Sequence, residues 1–83
     1  MRISQQITFL DTRDLRRTAD FYERVLGLRL ARDQGTCRIY HVSGSSYVGF
    51  CERADVPPQP QGVVLTLVTD EDWEIQRFWE PLV

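Results

Sequence analysis

Ile7-Thr8-Phe9-Leu10-Asp11-Thr12-Arg13-Asp14-Leu15, carried on through Phe21-Tyr22 to Val25-Leu26-Gly27-Leu28, passes from a strand pattern to a helix pattern and so sets the fold. Residues 3–12 are rich in β-branched and apolar side chains, with Ile7 and Phe9 on one side and Thr8, Leu10 and Thr12 on the other. That pattern predicts a strand buried on both faces. Asp14 then stands at a helix N-cap, and Leu15, Thr18, Ala19, Phe21, Tyr22, Val25 and Leu26 recur at helical spacing until Gly27 supplies a left-handed stop. The spacing predicts a helix over 15–26. Arg16, Arg17, Asp20, Glu23 and Arg24 form its solvent side, and Asp20 and Arg24 sit at the favourable i,i+4 separation.

Working outward, residues 28–32 resume an extended pattern, Asp33-Gln34-Gly35-Thr36 is a turn, residues 37–42 are a strand, Ser43-Gly44-Ser45-Ser46 is a second turn, and residues 47–52 are a third strand. Strand, helix and three strands make one βαβββ module over residues 7–52, inside a segment spanning 1–53. With Val42 paired to Tyr47 across the second turn, Arg38, Tyr40, Val42, Tyr47, Gly49 and Cys51 share one face, and Cys37, Ile39, His41, Val48 and Phe50 share the other. Cys37 and Cys51 then point to opposite sides, so they are expected as two reduced, buried thiols. Residues 54–62 are a stiff, proline-rich linker, and residues 63–68 read as a further apolar strand that opens a second, incomplete unit over 63–83. Its tail has two readings. Thr69 and Asp72 resemble a capping box with Ile75, Phe78, Trp79 and Leu82 at helical spacing, yet Trp73, Ile75, Arg77 and Trp79 also alternate as a strand would.

Eighty-three residues allow one domain, with a core small enough that association with another copy would stabilise it. The formal net charge is −2, and the ten basic residues are all arginines spread along the chain, so no phosphate-tracking stripe points to nucleic acid. The opening residues lack the apolar run of a signal peptide and no stretch is long enough to span a bilayer, which predicts a cytoplasmic protein with no membrane partner.

The Asp14-Leu15, Phe21-Tyr22 and Leu26-Gly27-Leu28 spacing resembles the opening of the vicinal oxygen chelate superfamily, which takes in glyoxalases, bleomycin-resistance proteins and extradiol dioxygenases. The likeness runs from Ile7 to about Asp70, and Glu74-Ile75-Gln76-Arg77-Phe78 looks like the last strand of that family. The resemblance implies an α+β fold built from two βαβββ modules that cup a metal or small ligand. Here it implies one module plus a partial second, completed by a homodimer, with or without exchanged segments.

In metal-using members the ligands are His, Gln or Glu on the first and last strands of both modules, which by position gives Ile7, Gly49, Val64 and Glu74. Three of these four lack a donor side chain, so the resemblance implies no metal, no cofactor and no catalytic residue here. What it leaves on the expected concave face is a set of candidate ligand-binding residues: Phe9, Asp11, Arg38, Tyr40, Tyr47 and Glu74, together with Cys51, Thr66 and Phe78. Such a lining suits a small aromatic or anionic molecule, with Arg38 as a carboxylate clamp, or paired instead with Asp11 or Glu74. His41 is expected on the opposite side in a structural role, and Trp73 and Trp79 as dimer or core anchors. The leading expectation is a metal-free small-molecule binder. Its alternatives are an enzyme whose metal site is completed by a second chain, and a shortened relative that binds nothing.

Overall fold

The computed structural model describes residues 1–56 and 63–69. Strand β1 (Gln6–Thr12) leads into helix α1 (Leu15–Asp20), a π turn (Phe21–Val25), and strands β2 (Arg29–Asp33), β3 (Cys37–Ser43) and β4 (Ser46–Glu52). The four strands form one mixed sheet in the order β1-β4-β3-β2, with β1 parallel to β4 and the other pairs antiparallel. This is a small α+β fold in the expected βαβββ order.

The local signals act where the sequence places them. The Asp14 carboxylate accepts from the Arg17 amide at 3.1 Å and caps α1. Asp20 and Arg24 pair at 3.0 Å. Gly27 has φ of +70° and ends the helical segment. That segment is not one regular helix over 15–26, because the Leu26 amide reaches back to the Phe21 carbonyl at 3.1 Å, five residues away, and makes the second half a π turn.

One face of the sheet packs on the helix. Leu15, Ala19 and Tyr22 meet Tyr40, Val48 and Phe50 in a single core. Tyr22 lies centrally, its ring 4.5 Å from that of Phe50 and 6.2 Å from that of Tyr40. At the end of β1 the buried Thr12 and Thr18 hydroxyls satisfy each other at 2.8 Å, as burial of two polar groups demands. The Glu52 carboxylate accepts from the Leu15 amide at 2.9 Å, so the last residue of β4 helps to hold the first turn of α1.

Three expectations about the strands are corrected. β1 is not buried on both faces: Ile7 is 42% and Phe9 50% exposed, because β1 is an edge strand whose second face carries no packed layer among the described residues. Residues 63–69 form no strand. Leu65 and Leu67 pack against the helix-side core, while Val64 and Val68 stand exposed. The third correction is the register of β3. Gly44, with φ of +51°, and Ser45 make a two-residue turn between Ser43 and Ser46, but the register shifts between His41 and Ser43, leaving Val42 as an extra residue. Tyr47 therefore faces His41 instead of Val42, and every earlier residue of β3 changes side.

Cys37 stands directly opposite Cys51 in this register, and the two are joined by a disulfide. The expectation of two reduced thiols pointing apart is thereby overturned. Residues 70–83, with the two readings of the tail, lie outside the described residues, as does most of the linker.

Candidate functional site

The face of the sheet turned away from the helix is laid out by the register in three rows. Ile7, Tyr47, His41 and Arg29 form the first; Phe9, Gly49, Ile39 and Arg32 the second; Asp11, Cys51 and Cys37 the third. Phe9, Asp11 and Tyr47 thus stand where the sequence reading puts them, on one open face. Arg38 and Tyr40 do not. The bulge at Val42 turns both toward the helix, where Tyr40 is fully buried. Glu74 and Phe78 lie outside the described residues.

On the helix side Tyr40 and Arg38 have structural partners. The Tyr40 hydroxyl donates to Glu23 at 2.7 Å, and the Arg38 guanidinium lies 3.7 Å from Glu23 and 3.7 Å from Asp33. Arg38 pairs with acids, as one reading held, but among the described residues these are Glu23 and Asp33 and not Asp11; Glu74 lies outside them. Burial, followed by the bond to the Glu23 carboxylate, pushes the Tyr40 hydroxyl up to about 12, and burial alone takes Tyr22 to about 12. Both stay protonated at neutral pH. A shallow hollow of about 520 Å³ opens beside this cluster, lined by Asp14, Arg17, Asp20, Glu23, Arg24 and Arg38 among others. Its acids and bases largely neutralise one another, and Ala19 is the one apolar side chain that lines it.

The open face differs in kind. Phe9 lays its ring over Gly49, so closely that a Cβ at position 49 would stand 2.6 Å from the ring carbons Cδ1 and Cε1. The glycine is therefore required by a close approach. His41, expected on the other side, is brought onto this face by the bulge; its ring lies 5.2 Å from that of Tyr47, and its Nε2 is 2.9 Å from the Gly44 carbonyl oxygen. Ile39 is buried on this face, outside the helix-side core. At one end Asp11 approaches Arg53 at 4.0 Å, an exposed pair of little energetic weight. Sequence reasoning misses His41, Ile39, Arg29 and Arg32 as members of this face. No signal in the sequence marks them, because the register that pairs Tyr40 with Val48 is set by packing.

A βαβββ module with an open, aromatic-lined sheet face is the architecture of this chain. The chain matches the model of the Glyoxalase/Bleomycin resistance protein/Dioxygenase superfamily over residues 5–80, and it belongs to that superfamily. No curated protein and no solved structure matches it at a significant level.

The metal that many members hold does not fit the residues present. Ile7 and Gly49 offer no side-chain donor, the space above Gly49 is taken by the Phe9 ring, and Val64 is exposed and equally without a donor. Among the described residues no group of three or more His, Cys, Asp or Glu side chains converges. Nor is any helix among them long and apolar enough to cross a membrane.

Proposed function

We propose that this protein is a metal-independent small-molecule binder that takes an aromatic or anionic compound on the open sheet face, in a cleft closed by a second copy of the chain. The observation that carries this reading is the Phe9 ring seated on Gly49. It puts aromatic surface where a metal-ligating side chain would otherwise project. Around it, Ile7, Ile39, Tyr47 and His41 supply an apolar and aromatic floor with few polar groups, the usual composition of a ligand site.

The need for a second copy rests on what stays uncovered. Ile7, Phe9, Val64 and Val68 are exposed, and among the described residues β1 is an edge strand with neither proline nor lysine to blunt it. The Cys37–Cys51 bond persists in oxidising surroundings, so a copy in the cytoplasm would carry the two thiols reduced.

The test is thermal stabilisation of the full chain across a library of aromatic and anionic compounds, alongside sedimentation velocity at micromolar concentration. Stabilisation that disappears in Phe9→Ala but survives in Arg38→Ala, in a protein that sediments as a dimer, is the expected result. A flat response across the library, or sedimentation as monomer alone, overturns the reading.

A further inference from the structure

Strand β2 carries a second irregularity. Its register shifts between Leu30 and Arg32, with Ala31 as the extra residue. Three positions apart on a regular strand, Arg29 and Arg32 would point to opposite faces. With the bulge, Arg29 lies opposite His41 and Arg32 opposite Ile39, two residues that share the open face. Both side chains therefore leave the strand on one side, in adjacent rows along the rim of the proposed ligand face.

The surroundings show what this arrangement leaves unpaired among the described residues. Had Arg32 stayed in regular alternation it would stand on the helix side with Arg38, beside the carboxylates of Glu23 and Asp33. The bulge removes it from them. Among the described residues, the acid on the open face is Asp11, which lies three strands away on β1 and faces Arg53. At about 4.8 Å per strand that separation is roughly 14 Å, beyond the screening length of physiological salt. Neither Arg29 nor Arg32 makes an ion pair among the described residues. Protection of a sheet edge needs only charge, on either face; it does not need two arginines brought to the same face.

We infer that Arg29 and Arg32 form the anion-recognising end of the ligand face, and that the ligand is an oxyanion, a carboxylate or a phosphate ester, borne on an aromatic body. This rests on the reading of the open face as a binding site and adds the polarity of the ligand across it. Two adjacent guanidinium groups can hold one oxyanion through charge-assisted hydrogen bonds. From β2 to the Tyr47 and Gly49 rows on β4 is two strand spacings, roughly 10 Å, and to Phe9 on β1 roughly 14 Å. A bicyclic aromatic acid lying across the strands spans from the arginines to Tyr47 and reaches toward Phe9.

The experiment is calorimetric titration of the full chain with naphthalene carboxylate, naphthyl phosphate and the uncharged naphthalene carboxamide. It is run on the wild type, on the Arg29→Gln/Arg32→Gln variant, and on Phe9→Ala. The expected result is that one or both anions bind at least about tenfold more tightly than the amide, the gain of one charge-assisted contact. The double glutamine variant should erase that preference while its affinity for the amide stays unchanged. The better of the two anions tells carboxylate from phosphate. Equal binding of anion and amide, unaltered by the glutamine variant but lost in Phe9→Ala, overturns this inference and leaves the ligand face standing. Failure of all three probes to bind the wild type overturns both. Both arginines are exposed on an edge strand, so the variant should fold, and an unchanged circular dichroism spectrum checks that it does.

Discussion

Breaking the Cys37–Cys51 bond should cost this small domain a large share of its stability. The bond closes a loop of sequence separation 14. In the chain-entropy model, cross-linking a loop of that length restrains the unfolded chain by about 3 kcal/mol at 25 °C. Domains of this size are stable by roughly 4–12 kcal/mol, so the loss is on the order of a quarter or more of the total. The native hairpin survives the loss, because the β3–β4 ladder and its Gly44-Ser45 turn do not depend on the bond. What the bond ties is the open end of that hairpin. There the Glu52 amide donates to the Thr36 carbonyl at 2.9 Å, the Arg53 amide donates to the Thr12 carbonyl at 2.8 Å, and the Glu52 carboxylate holds the Leu15 amide. The assay is urea unfolding followed by far-ultraviolet circular dichroism, on oxidised protein, on protein reduced with dithiothreitol, and on the Cys37→Ser/Cys51→Ser variant. With denaturant slopes of about 1–3 kcal/mol per molar for small proteins, the midpoint should fall by roughly 1–3 M in both reduced and serine forms. The slope itself should rise, since the unlinked chain exposes more surface. Amide exchange should accelerate first at Leu15, Glu52 and Arg53. Midpoints that coincide across the three samples would refute the reasoning, as would a fall on reduction that the serine variant does not share.

Two further outcomes follow from the core and the open face. Gly49→Ala should destabilise by roughly 1–3 kcal/mol, because its Cβ meets the Phe9 ring at 2.6 Å and the ring must swing off. In a Phe9→Ala background the same change should cost nothing or stabilise slightly; equal costs in both backgrounds, measured by urea unfolding, would show that the ring does not rest there. Stability should also fall at alkaline pH. Tyr22 and Tyr40 are raised to about 12, above their unfolded value of 10.0, so their contribution is fully present below pH 10 and is lost as pH rises toward 12. Tyr22 alone accounts for about 3 kcal/mol across that window, with Tyr40 acting in the same direction. Tyrosinate absorbance and unfolding should titrate together, and Tyr22→Phe should flatten the profile; a stability unchanged through that range would contradict the burial of both hydroxyls.

Much of the fold is legible in the sequence because much of it is local. The Asp14 carboxylate caps the helix by accepting from the Arg17 amide three residues on, Gly27 takes a backbone angle that side chains resist, and Asp20 reaches Arg24 one turn away. Each depends on a few neighbouring residues, and so does the order of elements, whose hydrophobic periods change from strand to helix and back. The resemblance carried by Phe21-Tyr22 and Leu26-Gly27-Leu28 points to the right superfamily for the same reason.

The faces of the strands are another matter. Strand alternation has a period of two, so one extra residue reverses everything on one side of it. Val42 and Ala31 are two such residues, and neither has a sequence signature, because a bulge is held by tertiary packing, in which Val42 itself meets the helix-side core. Tyr40 goes inward to stack beside Tyr22 and bond Glu23, which carries Arg38 to the helix side, sets Cys37 opposite Cys51, and turns His41 outward. Local sequence signals suffice to specify a βαβββ half-shell with Phe9, Asp11 and Tyr47 on its open face. Tertiary packing alone decided which arginines join them.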